Sequence, residues 1–95
     1  MLTTINHLNE TALELIKEEN YKEAFDYFGK AEDHLQEDYI DLIPEPYLTT
    51  IYYNIAFLNQ KLGRLKECGQ YLNKALHFLE LYCEKSNYKS PNLNP

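Results

Sequence analysis

Positions 44 residues apart in this chain match too often for accident. Lys17 and Lys61, Lys22 and Lys66, Glu23 and Glu67, Tyr27 and Tyr71, Lys30 and Lys74, and Leu35 and Leu79 are identical at that separation. Three small residues, Ala12, Ala24 and Ala31, fall in register with Ala56, Cys68 and Ala75. Chance accounts for one or two such identities, not for the set. A repeat constrains the fold more than composition does, because each copy must bury its apolar face against a neighbouring copy.

The unit itself is clearest in the second copy. Ile51, Tyr52, Ile55, Ala56, Leu58 and Leu62 recur at helical spacing, as do Leu65, Cys68, Leu72, Ala75, Leu76 and Leu79 after them. Gly63 stands between the two runs, where a helix ends on a residue that tolerates positive φ. The spacing predicts two antiparallel helices. Ala56 and Ala75 let them approach closely, near the short end of the roughly 8–10 Å interaxial range. In the first copy Ile5, Leu8, Ala12 and Leu15 form one stripe, and Tyr21, Ala24, Phe28, Ala31 and Leu35 the next.

This pattern resembles the tetratricopeptide repeat. In the second copy the matching positions are Tyr52, Ala56, Leu62-Gly63, Cys68, Leu72 and Ala75; in the first they are Leu8, Ala12, Glu18-Glu19, Ala24, Phe28 and Ala31. The likeness spans about residues 4–80. The first copy lacks the turn glycine and carries Asn20 nearby, Cys68 replaces an alanine, and the period of 44 exceeds the usual ~34. The resemblance therefore implies a long-repeat variant, an all-α fold of two stacked antiparallel helical hairpins. Its repeats cover about 4–38 and 47–86, with a connector over 39–46 and a disordered tail over 87–95.

Along the chain, the first helix is expected over about 3–18 with Thr3 or Thr4 as N-cap, and the second over Tyr21–Asp38. Pro44 and Pro46 forbid a continuous helix, and Pro46 suits the first turn of the third. Tyr39, Leu42 and Ile43 are too apolar for a free connector and are expected to extend the second helix and pack. The last residues, SNYKSPNLNP, are polar and proline-bearing, as a linker or tail is.

Charge excludes one class of partner. The net charge of −6 opposes general nucleic-acid binding, which needs many basic contacts to phosphate. Its distribution is uneven: residues 1–46 hold 12 acids and 3 bases, residues 47–95 hold 3 acids and 6 bases. Two solvated faces account for this, and so does a head-to-tail or basic-partner contact. No run approaches the ~18 apolar residues of a membrane span. The N-terminus has neither the basic flank nor the apolar run of a secretory signal. An intracellular, cytoplasmic protein without membrane insertion is expected.

No catalytic chemistry is legible. Cys68 and Cys83 lie on one predicted helix, about 22 Å apart at a ~1.5 Å rise, too far for a disulfide. Both fall on the expected core stripe and read as small core residues. His7, His34 and His77 are scattered, and no metal pattern includes them. Neither a phosphate loop nor a nucleophile elbow is present. We expect no enzyme, no metal and no cofactor.

The resemblance implies where a partner binds, because in this family the first helix of each pair lines a concave groove that holds peptide segments. It carries that role onto Asn6, Asn9, Leu13 and Lys17 in the first copy, and onto Thr50, Tyr53, Asn54, Phe57 and Lys61 in the second. A protein-binding scaffold is the expected function. Self-assembly is the alternative, and a small bundle that binds short helical motifs is another. For self-assembly the last helix supplies a reason. Beside its expected core stripe of Cys68, Leu72, Ala75, Leu76, Leu79 and Cys83 runs a second, Tyr71, Phe78 and Tyr82. Together they span about 160°, wider than the ~100° a surface helix buries. Tyr71, Phe78 and Tyr82 are therefore expected to be covered by a second copy or a further domain.

Overall fold

A computed structural model describes residues 2–35 and 43–86. Over those residues the fold is all-α, with four helices: α1, Leu2–Lys17; α2, Tyr21–Leu35; α3, Glu45–Lys61; α4, Leu65–Lys85. α1 packs on α2 and α3 on α4, and α3 also lies against both α1 and α2. Thr3 and Thr4 sit inside α1 instead of capping it. Pro46 stands in the first turn of α3, behind Pro44 at the N-cap, where a missing N–H costs nothing. Ile43 is buried. The expectations for the end of the second helix, for Tyr39 and Leu42, and for the tail over 87–95 fall outside the described residues.

The two interhelix turns are built alike. In the first, the Asn20 N–H donates to the Leu15 carbonyl at 2.8 Å and the Glu19 N–H to the Ile16 carbonyl at 2.9 Å. In the second, Arg64 donates to Asn59 at 2.8 Å and Gly63 to Gln60 at 3.0 Å. These are the paired bonds that close a helix on a left-handed residue. Every donor and acceptor is displaced by the same 44 positions. The left-handed residue is Gly63, at φ 76°, and in the first turn Glu19, at φ 61°. Within the Glu19-Asn20 pair that joins the two helices, Glu19 bends the chain, and Asn20 leads into α2, where its amide donates to the Glu23 carboxylate at 2.6 Å.

The core is one cluster. Ile5, Ala12, Ala24, Phe28 and Leu35 from the first hairpin meet Leu48, Ile51, Tyr52, Ile55 and Leu58 from α3, with Ala75 from α4. The small positions Ala12, Ala24, Ala31, Ala56 and Ala75 are all buried. Cys68, in register with Ala24, is half-buried.

The inward face of α4 corrects the sequence reading. Leu72, Leu76 and Leu79 are 44%, 51% and 45% exposed, and Cys83 is exposed as well. Tyr71 and Phe78 point inward instead and pack against the core. The inward arc is thus displaced by about a quarter-turn, near 100°, from the predicted stripe. Tyr52 of α3 is the cause. Its ring stacks on Phe78 at 5.7 Å and on Tyr71 at 6.1 Å. Rings bury more area per side chain than leucine and gain further from offset stacking. The Tyr71 hydroxyl then reaches the Glu32 carboxylate of α2 at 2.8 Å, and the Lys74 ammonium lies 3.8 Å from the same group. Lys74 also sits over the Tyr52 and Tyr71 rings, at 5.3 and 5.1 Å. An inward tyrosine needs a partner for its hydroxyl, and this rotation supplies one. Inward leucines would leave Glu32 without it.

Candidate interaction surfaces

Helices α1 and α3 run beside each other and leave a cleft of about 350 Å³ between them, lined by Asn6, Asn9 and Glu10 of α1 and by Pro46, Tyr47 and Thr50 of α3, with Ile51 at its base. Asn54 donates its side-chain amide to the Asn9 carbonyl oxygen at 3.1 Å, tying the two walls together. Asn9 therefore keeps its own amide N–H groups for another acceptor. The Thr50 hydroxyl donates to the Pro46 carbonyl at 3.0 Å. Tyr47 is 42% exposed at the rim. The cleft offers amide groups, one phenol and one carboxylate on a partly apolar floor. That set suits an extended backbone better than a small charged metabolite.

The residues assigned to one groove by resemblance divide among four places. Asn6, Asn9 and Thr50 line the cleft, and Asn54 braces it. Tyr47, Pro46 and Glu10 join them, and no repeat position had marked these three. Proximity to Pro44 and Pro46, which start α3 at that point, is the signal that could have found Tyr47. Leu13 and Lys17 lie along the outer side of α1, with His7 and Glu14. Phe57 is half-buried, and Lys61 covers its ring at 5.3 Å.

Tyr53 lies elsewhere. Though 56% exposed, it faces a shallow trough of about 340 Å³ between α3 and α4, shared with Thr49, Leu72, Ala75, Leu76 and Leu79. Of the three aromatic residues expected to meet a partner, Tyr71 and Phe78 are covered from within the chain by Tyr52. Tyr82 is 37% exposed.

The groups with shifted acidity lie outside the linings of the cleft and the trough. Burial, and then the bond to Glu32, push the Tyr71 phenol well above its ordinary range. Burial also raises Tyr52. Lys85 of α4 bonds Glu45 at the start of α3 and lowers that carboxyl. Among the described residues no group of three His, Cys, Asp or Glu side chains could hold a metal ion, and no helix is long and apolar enough to cross a membrane. Comparison with protein-family models, with curated proteins and with solved structures found no match.

Proposed function

We propose that this chain is a helical-repeat scaffold of the tetratricopeptide kind, and that it binds an extended peptide segment of another protein in the cleft between α1 and α3. The cleft itself carries the reading. Two first helices of successive hairpins form its walls, and amides, a phenol and a carboxylate line it. The 44-residue repetition supports the repeat assignment, since it extends from side chains to the turn hydrogen bonds. The buried alanines at corresponding positions support it too.

Asn6 and Asn9 would bond the peptide backbone, which any extended segment presents. Tyr47 would pack on one of its side chains, as amphipathic aromatic residues at interfaces do. Glu10 favours a basic side chain at that end. The test is selection from a displayed random-peptide library with the folded chain as bait. Selected peptides should carry Lys or Arg near one end and should lose at least tenfold in affinity against Asn9→Ala/Tyr47→Ala. The circular dichroism of that variant should remain helical. Peptides that bind wild type and variant alike would put the site elsewhere.

A further inference from the structure

The exposed residues of α4 have an order that the repeat does not explain. Leu65, Gly69, Leu72, Leu76, Leu79 and Cys83 follow one another at intervals of four, three, four, three and four. That is the alternation of a helix seam made to pair with another helix. All six are exposed, Leu65 at 69%. Beside the seam lies the trough between α3 and α4, with Tyr53 on its far wall.

The first hairpin shows what such a face requires. Ile5, Phe28, Ala31 and Leu35 are the counterparts, 44 positions earlier, of Thr49, Leu72, Ala75 and Leu79. In the first hairpin all four are buried to 1% exposure or less, and α3 is the helix laid over α1 and α2. The second hairpin presents the corresponding face with nothing laid on it among the described residues.

A head-to-tail copy does not fit there. The α3 residues Leu48, Ile51, Ile55 and Leu58 are all buried in the core. Their counterparts on α1 are Thr4, His7, Thr11 and Glu14, which are polar. The front of the molecule thus has no apolar ridge to insert into its rear.

We propose that two copies of this chain pair through α4, antiparallel about a two-fold axis between Leu72 and Leu76. In that register Leu76 meets the partner's Leu72, and Gly69 meets the partner's Leu79. Cys83 falls opposite the partner's Leu65. The positions flanking the seam on its solvent side are Lys66, Asn73 and Glu80, all exposed. Antiparallel pairing sets Lys66 against the partner's Glu80, and the symmetry makes that pair twice. Parallel pairing offers no such match, since it sets Ala75 against the partner's Glu80 and leaves Lys66 unmatched. Charge complementarity at these flanks selects orientation in paired helices. The Tyr53 ring closes the trough from the α3 side, adding an aromatic anchor near the centre.

Sedimentation equilibrium from micromolar to millimolar chain tests the proposal. Wild type is expected to be a concentration-dependent dimer, and Leu76→Glu a monomer of unchanged helicity, since Leu76 is 51% exposed and stands outside the core cluster. Lys66→Glu should weaken the dimer roughly five- to tenfold, from two like-charged pairs at exposed positions. Lys66→Glu/Glu80→Lys should restore it. A monomeric wild type over the whole range overturns the proposal. So does a dimer indifferent to Leu76→Glu. A dimer that the charge swap fails to rescue, or one that oxidises to a Cys83–Cys83 disulfide, overturns the antiparallel register.

Discussion

One face of the repeating unit occurs twice in this molecule and meets opposite surroundings. On the first hairpin Ile5, Phe28, Ala31 and Leu35 are sealed under α3. On the second, Leu72 and Leu79 stand in the open at 44% and 45% exposure, and only Ala75 is buried. The helices that carry these faces also reach their neighbours differently. α2 buries Phe28 and Leu35 with two alanines, the residues of its repeat stripe. α4 turns an aromatic arc inward and leaves its leucines out. The difference teaches that equivalent positions in a repeat share a backbone path, not a burial. Burial is set by what lies on the far side.

The sharpest way to break the comparison is to truncate the same position in both hairpins. Phe28→Ala empties a fully enclosed site and should cost about 3–5 kcal/mol. Leu72→Ala, its counterpart, should stay within about 0.5 kcal/mol for the monomer at low concentration. Urea melts of the two variants measure this. Equal losses would mean that α4 buries its leucines after all.

The aromatic arc gives the next test. Tyr71→Phe removes a bond to a carboxylate at a half-buried site and should cost about 1–1.5 kcal/mol. It should also change the response to alkali. The folded chain holds the Tyr71 phenol above its ordinary value of 10.0, so the neutral form is favoured by folding. That contribution is complete below pH 10.0 and is lost as pH rises further. Wild-type Tm should therefore fall more steeply above that point than the Tm of Tyr71→Phe. Parallel curves would show that the phenol lies free of Glu32.

The smallest effect concerns the turns, where the two hairpins agree in path but not in residue. A left-handed conformation costs a side-chain residue roughly 1–2 kcal/mol, and glycine returns part of that gain through the freedom of its unfolded chain. Glu19→Gly should thus stabilise the protein by about 0.5–1 kcal/mol. Gly63→Glu should destabilise it by a similar amount. A shift of either variant in the opposite sense, by chemical denaturation, would contradict the shared turn geometry.

Of the candidate surfaces, the sequence exposed parts without their assembly. The repeat register marked Asn6, Asn9, Thr50 and Asn54, and these do meet around one cleft. It also marked Tyr53 and Leu13, which the fold sends to other sides. Helical spacing says which residues share a side of one helix. It does not say which neighbour that side will meet. Tyr47 escaped because it is nonrepeating, brought to the cleft by the entry of α3.

The residues alone determined four helices, the places of the two turns within the hairpins and a period of 44, because these follow from local spacing within a few positions. They determined an α-helical fold for the same reason. Tertiary structure decided which way α4 faces. Its apolar residues span more than one side, so periodicity permits both rotations. The ring of Tyr52 and the carboxylate of Glu32, from two other helices, distinguish them. That choice turned the aromatic stripe into core and the leucines into surface.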